Sequence, residues 1–130
     1  MATIFSKIIA GEIPCHKIAE NDQFLAFLDI NPLVMGHTLV IPKKEVDYIF
    51  DMEDDELAAI HVFAKQVAKA IKLTVPCVKV SVAVIGLEVP HAHVHLIPIN
   101  KMDDCNFTRA KLNPSQDELA AMATAIREKY

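Results

Sequence analysis

Residues 89–99 read VPHAHVHLIPI, with histidine at every second position from His91 to His95. A period of two belongs to a strand, where successive side chains point to opposite faces at a rise of about 3.3 Å per residue. Residues 91–99 are therefore expected to form a strand with two unlike faces. His91, His93 and His95 share one face, about 6.6 Å apart. Ala92, Val94 and Leu96 turn the other way, into a core. Such a strand belongs in a sheet that buries one face and lines a site with the other. Three of the chain's six histidines lie in this one segment.

The remaining pattern supplies that sheet and its cover. The segment IFSKIIAGEIP predicts a short helix with Ile4, Phe5, Ile8 and Ile9 on one face, stopped by Gly11. HKIAENDQFLAFLDI predicts two strands joined by a tight turn at Asn21-Asp22. GHTLVIPKK predicts a third, apolar on both faces near its centre, as a central strand requires. Between Glu53 and Leu73 the period lengthens. Leu57, Ile60, Phe63, Val67 and Ile71 recur at helical steps, with acids crowding the start and Lys69 and Lys72 near the end. VKVSVAVIG returns to strand and closes at Gly86. SQDELAAMATAIREKY predicts a final helix with a capping box from Ser115 to Glu118. The order helix, three strands, helix, two strands, helix gives an α+β class. It predicts an antiparallel sheet of about five strands in one domain over residues 1–130.

Composition narrows the partners. A net charge of −4 without a basic cluster argues against a nucleic-acid surface, yet leaves room for one small anion held locally. The 52% hydrophobic content hints at a buried subunit interface. The longest apolar run, VSVAVIGL, is far shorter than the ~20 residues of a membrane helix. Lys7 and Glu12 interrupt the apolar N-terminus, so no signal peptide is read there. Cys15, Cys77 and Cys105 have neither zinc-knuckle nor redox-pair spacing, and are expected to be reduced, mostly buried thiols of a cytoplasmic protein.

A row of imidazoles on one strand face admits three chemistries. It can be a polar face with no further role. It can hold a metal, although three side chains spanning about 13 Å cannot all reach one ion through bonds of about 2 Å. A metal would then need His37, an acid or a partner chain. It can also act on a phosphate: one neutral imidazole attacks phosphorus, and neighbours steady the oxygens and protonate the leaving group.

Residues 91–97, HAHVHLI, fit the signature His-φ-His-φ-His-φ-φ, with φ apolar, and the chain resembles the histidine triad family. IFSKIIAGEIP is similar to that family's opening helix, and FLAFLDINPLVMGHTLVIPKK to its nucleotide-binding segment, so the likeness covers most of residues 4–99. The resemblance implies that His93 is the nucleophile toward the α-phosphorus of a purine nucleoside phosphoramidate or related ester, through a nucleotidyl-histidine. It implies that His95 contacts the phosphate and helps protonate the departing group, and that His91 fixes the nucleophile's tautomer through its carbonyl. His37 then braces the triad, and Asp29 grips the ribose. Ile4, Phe5, Ile8, Phe27 and Ile30 form the base pocket, and Glu88 joins them on the substrate side. Without the resemblance, Asp29 reads as a turn former ahead of Asn31-Pro32. His16 and His61 match nothing. No cofactor and no structural zinc are expected, since Ser6 and Glu45 stand where zinc ligands would. A homodimer joined edge to edge is implied.

Two positions depart from the pattern. Leu87 and Val80 stand where the family commonly has glutamine and asparagine, and Ser81 is the expected partial substitute for the latter. The third histidine favours the phosphoramidase branch. Hydrolysis of dinucleoside polyphosphates, nucleotide binding with little turnover and a metalloenzyme remain as alternatives. Activity is expected to fall below a pH of about 6, as protonation removes the attacking lone pair.

Overall fold

A computed structural model describes residues 2–130. Helix α1 (Ile4–Ile9) opens the chain and is followed by strands β1 (Lys17–Glu20), β2 (Phe24–Leu28) and β3 (Thr38–Pro42). Helix α2 (Asp54–Thr74), strands β4 (Lys79–Ala83) and β5 (Val94–Ile99), and helix α3 (Gln116–Lys129) complete it. The five strands form one antiparallel sheet in the order β1-β2-β3-β5-β4. The fold class is α+β, as the alternation of periods predicts. β5, the last strand made, lies between β3 and β4, which α2 connects.

The sheet has two apolar faces with separate clusters. Phe24, Ala26, Leu28, Val40, Val94 and Leu96 pack with Ile60, Phe63, Val67 and Ile71 of α2 and with Leu119, Ala123 and Ile126 of α3. The opposite face carries Leu25, Phe27, Leu39 and Ile41 beneath Phe5 of α1. β2 and β3 are buried along their whole length. The central position inferred for β3 from its two apolar faces is the one it occupies.

Local chemistry sets the ends of the elements. Thr3 caps α1: its hydroxyl oxygen accepts from the Ser6 N–H, and its own N–H donates to Ser6 Oγ. Ser115 and Glu118 form the same reciprocal pair at α3. Asn21 turns β1 into β2 by accepting the N–H groups of Gln23 and Phe24 on its side-chain oxygen. Gly36 has φ +96°, and a Cβ there would lie 2.9 Å from Val75 Cγ2 and 3.3 Å from Pro98 Cγ. Only glycine fits this corner, where the chain entering β3 passes the end of α2 and Pro98 of β5, without displacing its neighbours.

Three expectations need correction. The histidine strand does not begin at His91 but at Val94. Ahead of it, the Ala92 N–H donates to the Val46 carbonyl and the His91 N–H to the Val89 carbonyl, so loops rather than β3 hold residues 91–93. Ile4 shares a helix with Phe5 but is 48% exposed, and Phe5 alone is buried in α1. The three cysteines are free but half-buried rather than buried.

Candidate active site

Register assembles the site. Along β2, Phe27 faces away from α2, and Asp29 continues that face two residues on. Along β3, Leu39 shares the face, with His37 two residues before it. The ladder pairs Phe27 with Leu39 and Leu28 with Thr38, and one step further the Asp29 N–H donates to the His37 carbonyl at 3.0 Å. Leu39 also pairs with His95. Asp29, His37 and His95 therefore converge from three neighbouring strands. His93 stands two residues before His95, and their ring centroids are 4.9 Å apart.

All four histidines are nearly buried, and their hydrogen bonds fix their tautomers. The Leu33 N–H can only donate, so His37 Nδ1 accepts it, at 3.1 Å. The proton of the neutral His37 ring is then on Nε2, which donates to His95 Nδ1 at 2.9 Å. That leaves the His95 proton on Nε2. The carbonyl of His91 can only accept, so His93 Nδ1–H donates to it at 2.8 Å, leaving a bare lone pair on His93 Nε2. His91 is tied off separately: its Nε2–H donates to the Pro42 carbonyl at 2.8 Å, and its Nδ1 faces the Thr3 hydroxyl at 3.5 Å. No fully buried side-chain nitrogen or oxygen among the described residues lacks a partner. One lone pair and one N–H, on adjacent rings, are thus left for whatever enters.

Burial also holds two of the rings, His37 and His95, uncharged. It pushes the His37 pKa down to about 3, helped by the neighbouring His95, Lys111 and His93. It pushes His95 down to about 4, helped by His93 and Lys111. His37 Nε2 lies 3.8 Å from Asp29 Oδ2, but a neutral ring whose single proton points at His95 makes no ion pair there. Burial raises the Asp29 carboxyl, opposed by the Asn31 N–H that donates to Oδ1 at 2.9 Å.

His93, His95, His37 and Asp29 line one cavity of about 450 Å³, within the range of small-molecule sites. Phe27, Ile4, Phe5, Ile8, Ile30 and Glu88 line it too. Ile4 and Ile30, 48% and 52% exposed, form its rim rather than its floor. His91 is the one candidate that is not a wall. It packs behind Phe5, with ring centroids 5.9 Å apart, and reaches the site through its carbonyl. Asp29, His37 and His95 are also the one group of three potential metal ligands among the described residues, with ligand atoms within 4.8 Å of one another. Both His37 nitrogens are engaged, however, and a cation would have to break the 2.9 Å bond between the rings.

The departures are placed as well. Val80 packs against the α2 side of the sheet and Ser81 Oγ–H donates to the Ile97 carbonyl at 3.1 Å, so Ser81 does not replace a polar group in the cavity. Leu87, 89% exposed, stands at the mouth. His16 bonds Gln116, and His61 bonds the Leu57 carbonyl, both away from the cavity.

Phe107 and Lys111 are among the lining residues that the sequence reading did not single out. Phe107 stands edge-on to His95, with centroids 4.9 Å apart, and Lys111 reaches the rim. Phe5 meets His93 edge-on at the same distance, so Phe5, His93, His95 and Phe107 form a continuous row. The segment between the 3₁₀ turn Met102–Cys105 and α3 has no regular period, so no pattern marks either residue.

Fold and site define an α+β protein with a buried cluster of histidines, gathered where β3 and β5 meet their loops, opening on an apolar cleft. The HIT domain model matches residues 10–102. The chain is 37% identical over 131 residues to an uncharacterized HIT-like protein of Borreliella burgdorferi, covering 95% of this chain and 94% of that one. It is 43% identical over 98 residues to adenosine 5'-monophosphoramidase HNT1 of Saccharomyces cerevisiae, covering 75% of this chain and 62% of that one. The crystal structure of a Hit-like protein involved in cell-cycle regulation from Bartonella henselae matches with a TM-score of 0.86 at 30% identity, covering 98% of this chain and 96% of that one. The chain belongs to the HIT family.

Proposed function

We propose that this protein is a nucleotide hydrolase that acts on purine nucleoside phosphoramidates or related nucleotidyl esters. The observation that carries the reading is the 2.8 Å bond from His93 Nδ1–H to the His91 carbonyl, which turns Nε2 toward the cavity as the lone-pair nitrogen of the neutral ring. In this reading that nitrogen attacks the α-phosphorus, and the bond from phosphorus to the leaving group breaks. His95 Nε2–H, oriented through His37, hydrogen-bonds the phosphate oxygens and the departing group, which takes its proton from solvent water. Water then attacks phosphorus, and His93 is released as the neutral ring. Asp29 takes the ribose hydroxyls, while Phe5, Ile8 and Phe27 with the rim residues Ile4 and Ile30 take the base. The name of the yeast relative, adenosine 5'-monophosphoramidase, supports this substrate class over dinucleoside polyphosphates. We also infer a cytoplasmic homodimer, since the edge strand β4 exposes Val82 and α2 exposes Val62 and Leu73. Among the described residues no helix is long and apolar enough to cross a membrane.

The test is intact mass spectrometry after brief exposure to adenosine phosphoramidate. The expected product is one nucleotidyl group on His93, absent from His93→Ala, whose kcat should fall at least about a thousandfold. A nucleotide-binding module with little turnover is the second reading, favoured by Leu87 in solvent and Val80 in the core. Binding of AMP without adduct or turnover would select it.

A further inference from the structure

The cavity presents a charge problem to any nucleotide. Its charged lining consists of Asp29, Glu88 and Lys111. His37 and His95, pushed down to about 3 and about 4, add no positive charge at neutral pH. A phosphate entering this lining meets two carboxylates and one ammonium, and Leu87 at the mouth stands where the family commonly has a polar residue. Lys111 is the only cation lining the cavity among the described residues, and no carboxylate among them lies within ion-pair distance of it.

Lys111 is also held at the site. The segment 103–112 is fastened across the β2–β3 connection. The Arg109 guanidinium donates to the Leu33 carbonyl, to the Asp103 carbonyl at 2.9 Å and to Asp103 Oδ2 at 3.2 Å. The Leu112 N–H donates to the Pro32 carbonyl at 2.9 Å. Leu33, the residue clasped by Arg109, is the same one whose N–H sets the His37 tautomer. Phe107 closes the histidine row at the end opposite Phe5. Phe107, Arg109 and Lys111 all lie beyond the stretch that the family model matches.

We propose that Lys111, fixed between the Arg109 and Leu112 clasps, is the specificity-determining cation that binds the phosphate charge of the substrate, where Leu87 at the mouth offers no polar group. This rests on the reading of the cavity as a nucleotide site. A charge-assisted contact of this kind favours a substrate carrying an anionic phosphate over its uncharged nucleoside.

Calorimetry at low salt with AMP and with adenosine tests it on the wild-type chain, Lys111→Met and Lys111→Arg. Lys111 is exposed, so neither change disturbs the core. The expected result is AMP affinity lower by about tenfold or more in K111M, near wild type in K111R, and adenosine affinity unchanged in both. AMP binding within about twofold of wild type in K111M overturns the proposal. So does an equal loss for AMP and adenosine, which would mean that Lys111 serves Asp29 and the ribose. If AMP binding depends on Lys111 while no His93 adduct forms, the covalent reading fails and this one stands. If the wild-type chain binds neither ligand, both fail.

Discussion

A histidine kept neutral by burial resists protonation in the folded state and accepts it freely once unfolded. His37 and His95 have folded pKa values near 3 and 4, below the ordinary value of 6.5. Between those limits the unfolded chain binds more protons, so stability falls as pH falls. The thermal midpoint is expected to be level above about pH 7 and to drop between about 6.5 and 4. In His37→Gln the drop should be shallower, because one of the two groups is gone. An equally steep drop in that variant would show that His37 titrates normally in the fold. At this scale the clustering of histidines was legible from the period of two, whereas His37 and Asp29 were given their roles only through the family resemblance. The chain was not readable where meaning depends on long-range placement. Lys111 and Phe107 sit in a segment without periodicity, and only Arg109 and Leu112, reaching back to Leu33 and Pro32, bring them to the cavity.

At the scale of elements, the β2–β3 hairpin and its connection position most of the site. Its ladder sets Asp29 against His37, and Gly36 lets the chain turn into β3 beside Val75 and Pro98. Gly36→Ala combines a positive φ with a 2.9 Å approach to Val75 Cγ2, and should cost about 1–3 kcal/mol in chemical denaturation. Gly11, with φ +81° but open space around it, should lose less from its own alanine change. Periodicity predicted α2 and α3 to within about a residue at each end, because each buries one long apolar stripe and α3 has a complete capping box. It failed at the start of β5. Alternation reports which way side chains point, and it persists through 91–93. It does not report what the backbone pairs with, and there the partner is Val46 in a loop.

The whole molecule leaves an apolar edge uncovered. Val82 on β4 and Val62 and Leu73 on α2 are exposed large side chains beside an unpaired strand. Sedimentation at micromolar concentration is expected to give about twice the 14.4 kDa of one chain, and a mass near one chain would remove the homodimer. The excess of apolar residues gave the first sign of this surface, but composition has no location. Strand order was hidden for a related reason: β5 pairs with its neighbour β4 but also with β3, as in Thr38 against Leu96, a contact between distant parts of the chain. That insertion has a consequence for synthesis. A nascent chain that has emerged only to residue 90 owns Phe5, Phe27 and the long helix, yet neither His93 nor His95. Closing the gap between two waiting strands and completing the histidine cluster are the same folding event. Incomplete chains therefore lack the cluster, and the unfilled slot is where they are most open to mispairing.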